Sequence, residues 1–378
     1  MEDTDNEEGK IIKDFKTMPK SHRMPLTQEQ IKQRFDERLK ILQTACKRYG
    51  NSTFFRRRRG ARLMQVAFQL KTYYCPITKC GSSTWKRLFD AIRKHSGQTT
   101  KKGVAPKKKE ASGATVIVFV RNPYSRLLSA YIDKLFGPNT QYWKYIGTYV
   151  VANFRSNASD ESLRCGHDVT FAEFIRYVIH AQTTGVHRDS HFIPTHDHCH
   201  FCQRDFHYVG HLETISEDMP YILNAINSPV NYTKDFDNST IVTGAMWVFG
   251  QMRSKLEACM GLEEACRRLW KKWHIRGIIS KSQLFPFSRE EMKNMDTDTF
   301  VSESLKALER SRDNPSRKGQ KSEAMAEAFS SVPLKDRLEL QKLLVLDFEL
   351  FGFESSPTEV FQVSDEQNSG YSYFSPYD

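Results

Sequence analysis

No stretch of this 378-residue chain is apolar for long enough to cross a bilayer, and its first forty residues are charged, without a readable signal peptide. Membrane attachment is therefore expected only through an anchor not visible in this sequence. Eight cysteines are too few for a disulfide scaffold at this length. The chain has no internal repeat and no clean domain boundary. Acidic side chains are in the minority: 45 Asp and Glu face 56 Lys and Arg, a net charge of +11. That balance implies an anionic partner, such as nucleic acid, anionic lipid, a sulfated or uronic-acid glycan, or a nucleotide, without choosing among them.

What is present is ample apolar material, 39% of residues, in a pattern of alternating strands and helices. Residues 1–25 are charged and aperiodic and are expected to be disordered. Thr27 and Gln30 match a capping box, and Ile31, Phe35, Leu39 and Leu42 fall on one helical face. A strand is predicted over Tyr73–Ile77, followed by a helix with Trp85, Leu88, Phe89 and Ile92 on its inner face. Residues 96–113 form a Lys-, Gly- and Ser-rich loop. Thr115–Val120 has the continuous β-branched and aromatic character of a strand covered on both faces. Asn122 and Pro123 then suit a helix start, with Leu127, Leu128, Tyr131, Ile132 and Leu135 as its inner stripe.

Further on, helices are expected over Phe171–Ala181, Ser216–Asn227, Gln251–Trp273 and Pro333–Phe351, the last stopped by Gly352. A short strand is expected over Phe206–Gly210, a polar connector over 228–245 and a polar loop over 310–323. Two successive strand-loop-helix units imply an α/β fold with a central parallel sheet flanked by helices. One domain is expected over residues 26–353, with a flexible tail over 354–378.

The chemistry concentrates in two loops. Lys79, Cys80, Gly81, Ser82, Ser83, Thr84 and Trp85 follow a strand and open a helix. A helix N-terminus directs several N–H groups and a partial positive charge into one concavity. Lys79 adds a full charge, and three hydroxyls add donors. This is not a Walker A loop, because the lysine precedes the glycine. Arg121 ends the second buried strand, where a parallel sheet places ligand-facing groups, and a guanidinium fork suits a dianionic phosphate. Ser125 and Ser129 lie one turn apart on the next helix. Two anion sites on neighbouring strand ends suit a nucleotide phosphorylated at both 5′ and 3′ positions.

Residues 75–87 resemble the 5′-phosphosulfate loop of the Golgi carbohydrate sulfotransferases, nearest to the branch acting on chondroitin, dermatan and glucuronyl-terminated glycans. Residues 119–131 resemble that family's 3′-phosphate motif. His191, Cys199 with Cys202, residues 208–214 and residues 347–353 resemble further family blocks in the same order. Thr78 stands where the family usually has Pro, and Asn122 where it usually has Asp.

The resemblance implies a P-loop-like sulfotransferase fold, 3′-phosphoadenosine 5′-phosphosulfate as donor, a glycan hydroxyl as acceptor and a Golgi location. It implies that Lys79 and the backbone and hydroxyls of residues 80–85 bind the phosphosulfate, and that Arg121 and Ser129 bind the 3′-phosphate. His191 is the candidate base. No metal is required, and no nucleic acid is expected. The alternatives are a nucleotide-dependent kinase or NTPase, and a non-catalytic polyanion binder using Arg56–Arg59 and Lys107–Lys109.

Cys199 and Cys202 have the C-x-x-C spacing of zinc ligands, but no two further ligands follow at suitable spacing, so disulfides are the preferred expectation. Four N-glycosylation sequons, at Asn51, Asn157, Asn231 and Asn238, lean toward a secretory compartment.

Overall fold

The computed structural model describes residues 25–50, 63–95, 97, 103–104, 113–232, 237–251, 256, 258–362 and 371–377. The charged stretch 1–24, the Arg56–Arg59 run, Lys107–Lys109 and the sequon at Asn51 lie outside them.

The first helix, α1 (Gln28–Tyr49), starts at the expected capping box: Thr27 accepts from the Gln30 amide and Gln30 accepts in return from the Thr27 amide. Ile31, Phe35 and Leu42 on its inner face are buried. Two strands follow, β1 (Leu63–Ala67) and β2 (Thr72–Cys75), joined by a tight turn in which Lys71 takes a left-handed conformation. After β2 come helix α2 (Ser82–His95), the two-residue strand β3 (Gly103–Val104) and β4 (Thr115–Val120). The last strand, β5 (Tyr208–His211), returns to the sheet only after a long helical excursion.

The strand order among the described residues is β3-β1-β2-β4-β5. The centre, β2-β4-β5, is parallel, with Cys75 opposite Val118 and Val120 opposite His211. The flank is antiparallel, β1 against β2 and β3 against β1. The expected parallel core is therefore present, but the sheet as a whole is mixed. Trp85, Phe89 and Ile92 of α2 are fully buried against it, Trp85 stacking on Tyr74. Burying a side chain such as Phe or Ile contributes about 1.5–3 kcal/mol over leaving it exposed, enough to dock this helix firmly.

Helix α3 (Pro123–Tyr131) is capped by Asn122, whose side chain accepts from the Ser125 amide, and runs on as a π-turn over Ile132–Phe136. Beyond it lie α4 (Phe171–Thr184), α5 (Ile215–Ala225), α6 (Asp237–Met246), α7 (Leu262–Ile275), α8 (Thr297–Ser311), α9 (Gln320–Ser330), α10 (Leu334–Leu343) and α11 (Val345–Phe351).

Several expectations are corrected. The connector expected over 228–245 contains α6. The helix expected over Gln251–Trp273 is not continuous: residues 258–261 are a turn, and α7 starts at Leu262. Most of the loop expected over 310–323 is the end of α8, a 3-10 turn and the start of α9. The long final helix is two, broken at Leu344, although Gly352 does terminate it in the left-handed conformation. Past Glu354, Thr358–Phe361 is helical, and Val360 and Tyr373 are buried in the α3–α4–α9 core. These polar-looking segments fold because scattered apolar residues meet partners distant in sequence, which local pattern does not reveal.

Three disulfides tie the layers: Cys46–Cys202, Cys75–Cys199 and Cys165–Cys259. The C-x-x-C pair is thus split between two bridges, leaving no thiolate there for a metal. No helix among the described residues is long and apolar enough to cross a membrane.

Gly210 lets β5 pass close to Phe119: a Cβ there would sit 2.4 Å from the ring. Gly210→Ala is expected to destabilise the protein by about 1–3 kcal/mol through overpacking, read as a lower denaturation midpoint.

Candidate active site

Because β2, β4 and β5 run parallel, their carboxyl ends open at one edge of the sheet, where such folds bind ligands. The first loop leaves β2 at Pro76 and enters α2 at Ser82. Within it Lys79 and Gly81 both have positive φ, +66° and +78°. For lysine this is a sparsely populated conformation, of the kind held only where the surroundings over-determine it. At Gly81 a side chain would be strained by the backbone and would press on Leu212. The turn bonds the Cys80 amide to Ile77, and the Trp85 amide bonds to Gly81. The amides of Ser82, Ser83 and Thr84 belong to the helix's first turn, which has no intrahelical acceptors to offer them.

The side chains of this loop divide by burial. Cys80 and Trp85 are fully buried; burial pushes the Cys80 thiol up to about 11. Their side chains belong to the core, so only their backbone lies on the loop. Ser83 is exposed, and Ser82 and Thr84 are half-buried.

Lys79 points to Asp133 on the π-turn, its Nζ 3.0 Å from Oδ2. Asp133 also receives Lys272 at 2.7 Å and Arg276 at 3.4 Å, with Lys134 at 3.9 Å. Four cations thus share one carboxylate, an arrangement with unspent positive charge. Burial lowers the Lys79 ammonium to about 7; Asp133 opposes this, while Arg276 and Lys272 reinforce it. Burial alone would raise the Asp133 carboxyl, but Lys272, Lys79 and Arg276 together hold it well below its usual range.

Arg121 leaves the end of β4. Its Nε donates to Ser125 Oγ at 3.0 Å. Burial lowers its pKa, and Glu213 at the end of β5 works against that. Glu213 also accepts from the Asn122 amide at 2.9 Å, linking the ends of β4 and β5. Arg121 and Arg126 both act on the Cys80 thiol, and Arg276 acts on both Lys79 and Arg121, so the two loops lie side by side. Ser129, one turn beyond Ser125, is half-buried.

His191 is brought to the same edge. Its Nδ1–H donates to Asp189 Oδ1 at 2.8 Å, and the Tyr142 hydroxyl lies 2.8 Å from the same nitrogen and donates to Asp189 Oδ2 at 3.3 Å. In the tautomer with its proton on Nδ1, which a contact with the Asp189 carboxylate favours, Nε2 is the acceptor that a general base needs.

Two positions that the sequence did not single out as site residues fasten this histidine to the lysine loop. Thr78 Oγ1 donates to the Ser190 carbonyl at 2.7 Å. Arg126, buried, donates to the Thr78 carbonyl at 3.0 Å and the Ile193 carbonyl at 2.7 Å, with its NH2 beside His198 Nε2. The one available signal was the departure at Thr78 itself: a proline there would lack the hydroxyl that reaches Ser190. Lys272 and Arg276 were also missed, because they arrive from α7, some 190 residues after Lys79.

A ligand phosphate beside Lys79 raises its pKa again. At about pH 8, where the free amine is largely neutral, binding of adenosine 3′,5′-bisphosphate should therefore take up a proton. Its affinity should fall as pH rises above about 7. Calorimetry in buffers of different ionisation enthalpy checks this, and Lys79→Met should abolish the uptake.

Residues 64–243 match the model of the sulfotransferase family. Human carbohydrate sulfotransferase 8 is 32% identical over 221 residues, covering 52% of this chain and 51% of that protein. Carbohydrate sulfotransferase 11 of Rattus norvegicus is 31% identical over 171 residues, 40% of this chain and 49% of that protein. Human carbohydrate sulfotransferase 14 is 27% identical over 191 residues, 46% and 49% of the two chains. The chain spans about half the length of the curated relatives it matches. No solved structure matches it significantly. These matches agree with the ordered sequence blocks and the α/β fold: residues 64–243 match the sulfotransferase family, and the chain is similar over about half its length to carbohydrate sulfotransferases.

Proposed function

We propose that the protein transfers a sulfuryl group from 3′-phosphoadenosine 5′-phosphosulfate to a glycan hydroxyl, on a chondroitin-like or related glycan. The observation that carries this reading is the meeting of Lys79, Arg121 and the Asp189–His191 pair at the carboxyl edge of the sheet's parallel core. The donor set fits a bisphosphorylated nucleotide. The α2 N-terminus with Lys79 suits the phosphosulfate, and Arg121 with Ser129 suits the 3′-phosphate. The side-chain hydroxyls of Ser82, Ser83 and Thr84 stand at the mouth of the same turn.

In this scheme His191 Nε2 accepts the proton of the acceptor hydroxyl as the new oxygen–sulfur bond forms. Lys79 meets the charge that builds on the phosphate oxygen as its bond to sulfur breaks. The transfer is in line and loose, like phosphoryl transfer, so catalysis rests mainly on positioning and electrostatics. Asp189 and Tyr142 hold the imidazole ring, and Arg126 with Thr78 keeps its segment registered against the lysine loop. The scheme requires no metal.

The expected compartment is the Golgi lumen. Three disulfides favour an oxidising environment, and the sequon residues Asn157 and Asn231 are exposed.

Sulfate transfer from labelled donor to a panel of desulfated glycans tests the proposal. Lys79→Ala and Arg121→Ala are each expected to lower kcat/KM by about 100-fold or more. His191→Ala should lower kcat by about 100-fold with little change in donor affinity. Wild-type transfer by the Lys79 or Arg121 variant, with the fold intact, would refute it.

A further inference from the structure

The transfer scheme leaves one cation of the Asp133 cluster without a part. Lys79 Nζ lies 3.0 Å from Asp133 Oδ2, and Arg276 NH2 lies 3.4 Å from Oδ1, so the two stand on opposite oxygens of one carboxylate. Lys272 also takes Oδ1, in a close hydrogen bond of 2.7 Å that matches the single charge of Asp133. The 3.4 Å approach is the one polar side-chain contact of Arg276 among the described residues, and the side chain is 31% exposed. The rest of its planar fork is open to an anion.

Three observations assign that fork to the donor. The first is placement: the Arg276 charge acts on Lys79 and on Arg121, so it stands beside both anion loops. The second is rigidity. Helix α7 stops at Arg276, and Gly277 turns the chain in the left-handed conformation, φ +63°. Gln320 on α9 brackets this turn, donating to the His274 and Ile279 carbonyls at 2.7 and 3.0 Å, and Arg317 donates to the Gly277 carbonyl at 2.9 Å. The cation is thereby fixed in advance of any ligand, the condition under which electrostatic stabilisation is strongest. The third is access. A cleft of about 360 Å³ reaches Arg276, and it is also lined by Tyr142, the partner of His191, and by Trp247, which is 41% exposed. Arg276 therefore stands in open space between the lysine loop and the base.

We infer that Arg276 is a catalytic residue of the sulfuryl transfer, contacting the 5′-phosphosulfate of the donor together with Lys79. The inference rests on the sulfotransferase reading and adds a reacting-centre contact to it. As the acceptor oxygen bonds to sulfur, His191 Nε2 takes the hydroxyl proton. The sulfur–oxygen bond to the 5′-phosphate breaks, and its electron pair stays on the phosphate oxygen. Lys79 and Arg276 share the charge that builds there, while Lys272 holds Asp133 in place. Arg276 lies beyond residues 64–243, so this contact comes from outside the segment that matches the family model.

The test uses the intact protein, with adenosine 3′,5′-bisphosphate as the binding probe and labelled donor for transfer. Arg276→Gln should weaken bisphosphate binding by about tenfold, read by calorimetry. Its kcat at saturating donor and acceptor should fall by about 100-fold, because the contact strengthens as charge builds on the phosphate. Arg276→Lys, which keeps the charge, should bind the bisphosphate within about threefold of the wild type. The denaturation midpoint of the free protein should be unchanged in both variants, since the open fork holds no other element.

An undiminished bisphosphate affinity in Arg276→Gln, or a lysine variant as weak as the glutamine variant, would overturn the inference. So would an unchanged kcat beside a lower affinity, which marks a contact made equally before and during transfer, such as one to the 3′-phosphate. A lowered denaturation midpoint would assign Arg276 a structural role instead. If the wild type binds the bisphosphate and transfers sulfate, and Arg276→Gln behaves like it, only this assignment falls. If the wild type neither binds the bisphosphate nor transfers sulfate, the sulfotransferase reading falls and the assignment with it.

Discussion

The Asp133 carboxylate is the interaction on which the site depends. It faces Lys79 from the lysine loop, Lys134 from its own turn, and Lys272 and Arg276 from α7. Without a shared counter-charge, four cations would repel one another at close range. With one carboxylate among them they can be packed together and still present a surplus of positive charge. Asp133 thus joins the part of the chain that carries the lysine loop to a helix from far downstream. The same contact sets the electrostatics of Lys79, since burial and the two α7 cations together overcome the carboxylate's support.

Around that centre the architecture is a matter of alignment. Three parallel strands end at one edge, so their loops converge with no further device. The remaining need is to fix the histidine segment, which arrives from the long helical excursion between β4 and β5. Covalent and polar ties do this together. Cys75–Cys199 anchors that segment to the end of β2, and Cys46–Cys202 anchors it to the end of α1. Arg126 and Thr78 register its carbonyls against the lysine loop. Asp347 on α11 accepts the Thr195 and His196 amides at 2.7 and 2.8 Å, closing the segment from the other side. This explains why residues 347–353 belong with the site although they lie at the far end of the chain.

Where local chemistry decides the conformation, the sequence was legible. The Thr27 capping box, the Thr115–Val120 strand, the Asn122 cap with Pro123 and the Gly352 stop were readable because each depends on neighbours a few residues away. The apolar stripe of α2 was readable for the same reason. Segments whose helices depend on distant partners were not. The α6 segment looks like a polar connector until Ile241 and Ala245 are seen buried against α7, and the C-terminal residues look loose until Tyr373 is seen in the core. The short β1 gave no pattern of its own; it is defined by pairing with β2 and β3.

For the site, the division follows the same physics. Lys79, the first turn of α2 and Arg121 announce an anion-binding edge by residue type and position alone. A strand end followed by a helix start has one local geometry, and its N–H groups must point into the loop. The sequence by itself therefore determined that two loops of anion-binding composition follow successive buried strands. Only the tertiary structure decided that Asp133, Lys272 and Arg276 meet Lys79, that Asp189 and Tyr142 hold the ring of His191, and that Trp247 stands exposed in the adjoining cleft. Those contacts join residues separated by tens to hundreds of positions. They form only when packing brings different helices to the same sheet edge, and no local propensity encodes that encounter.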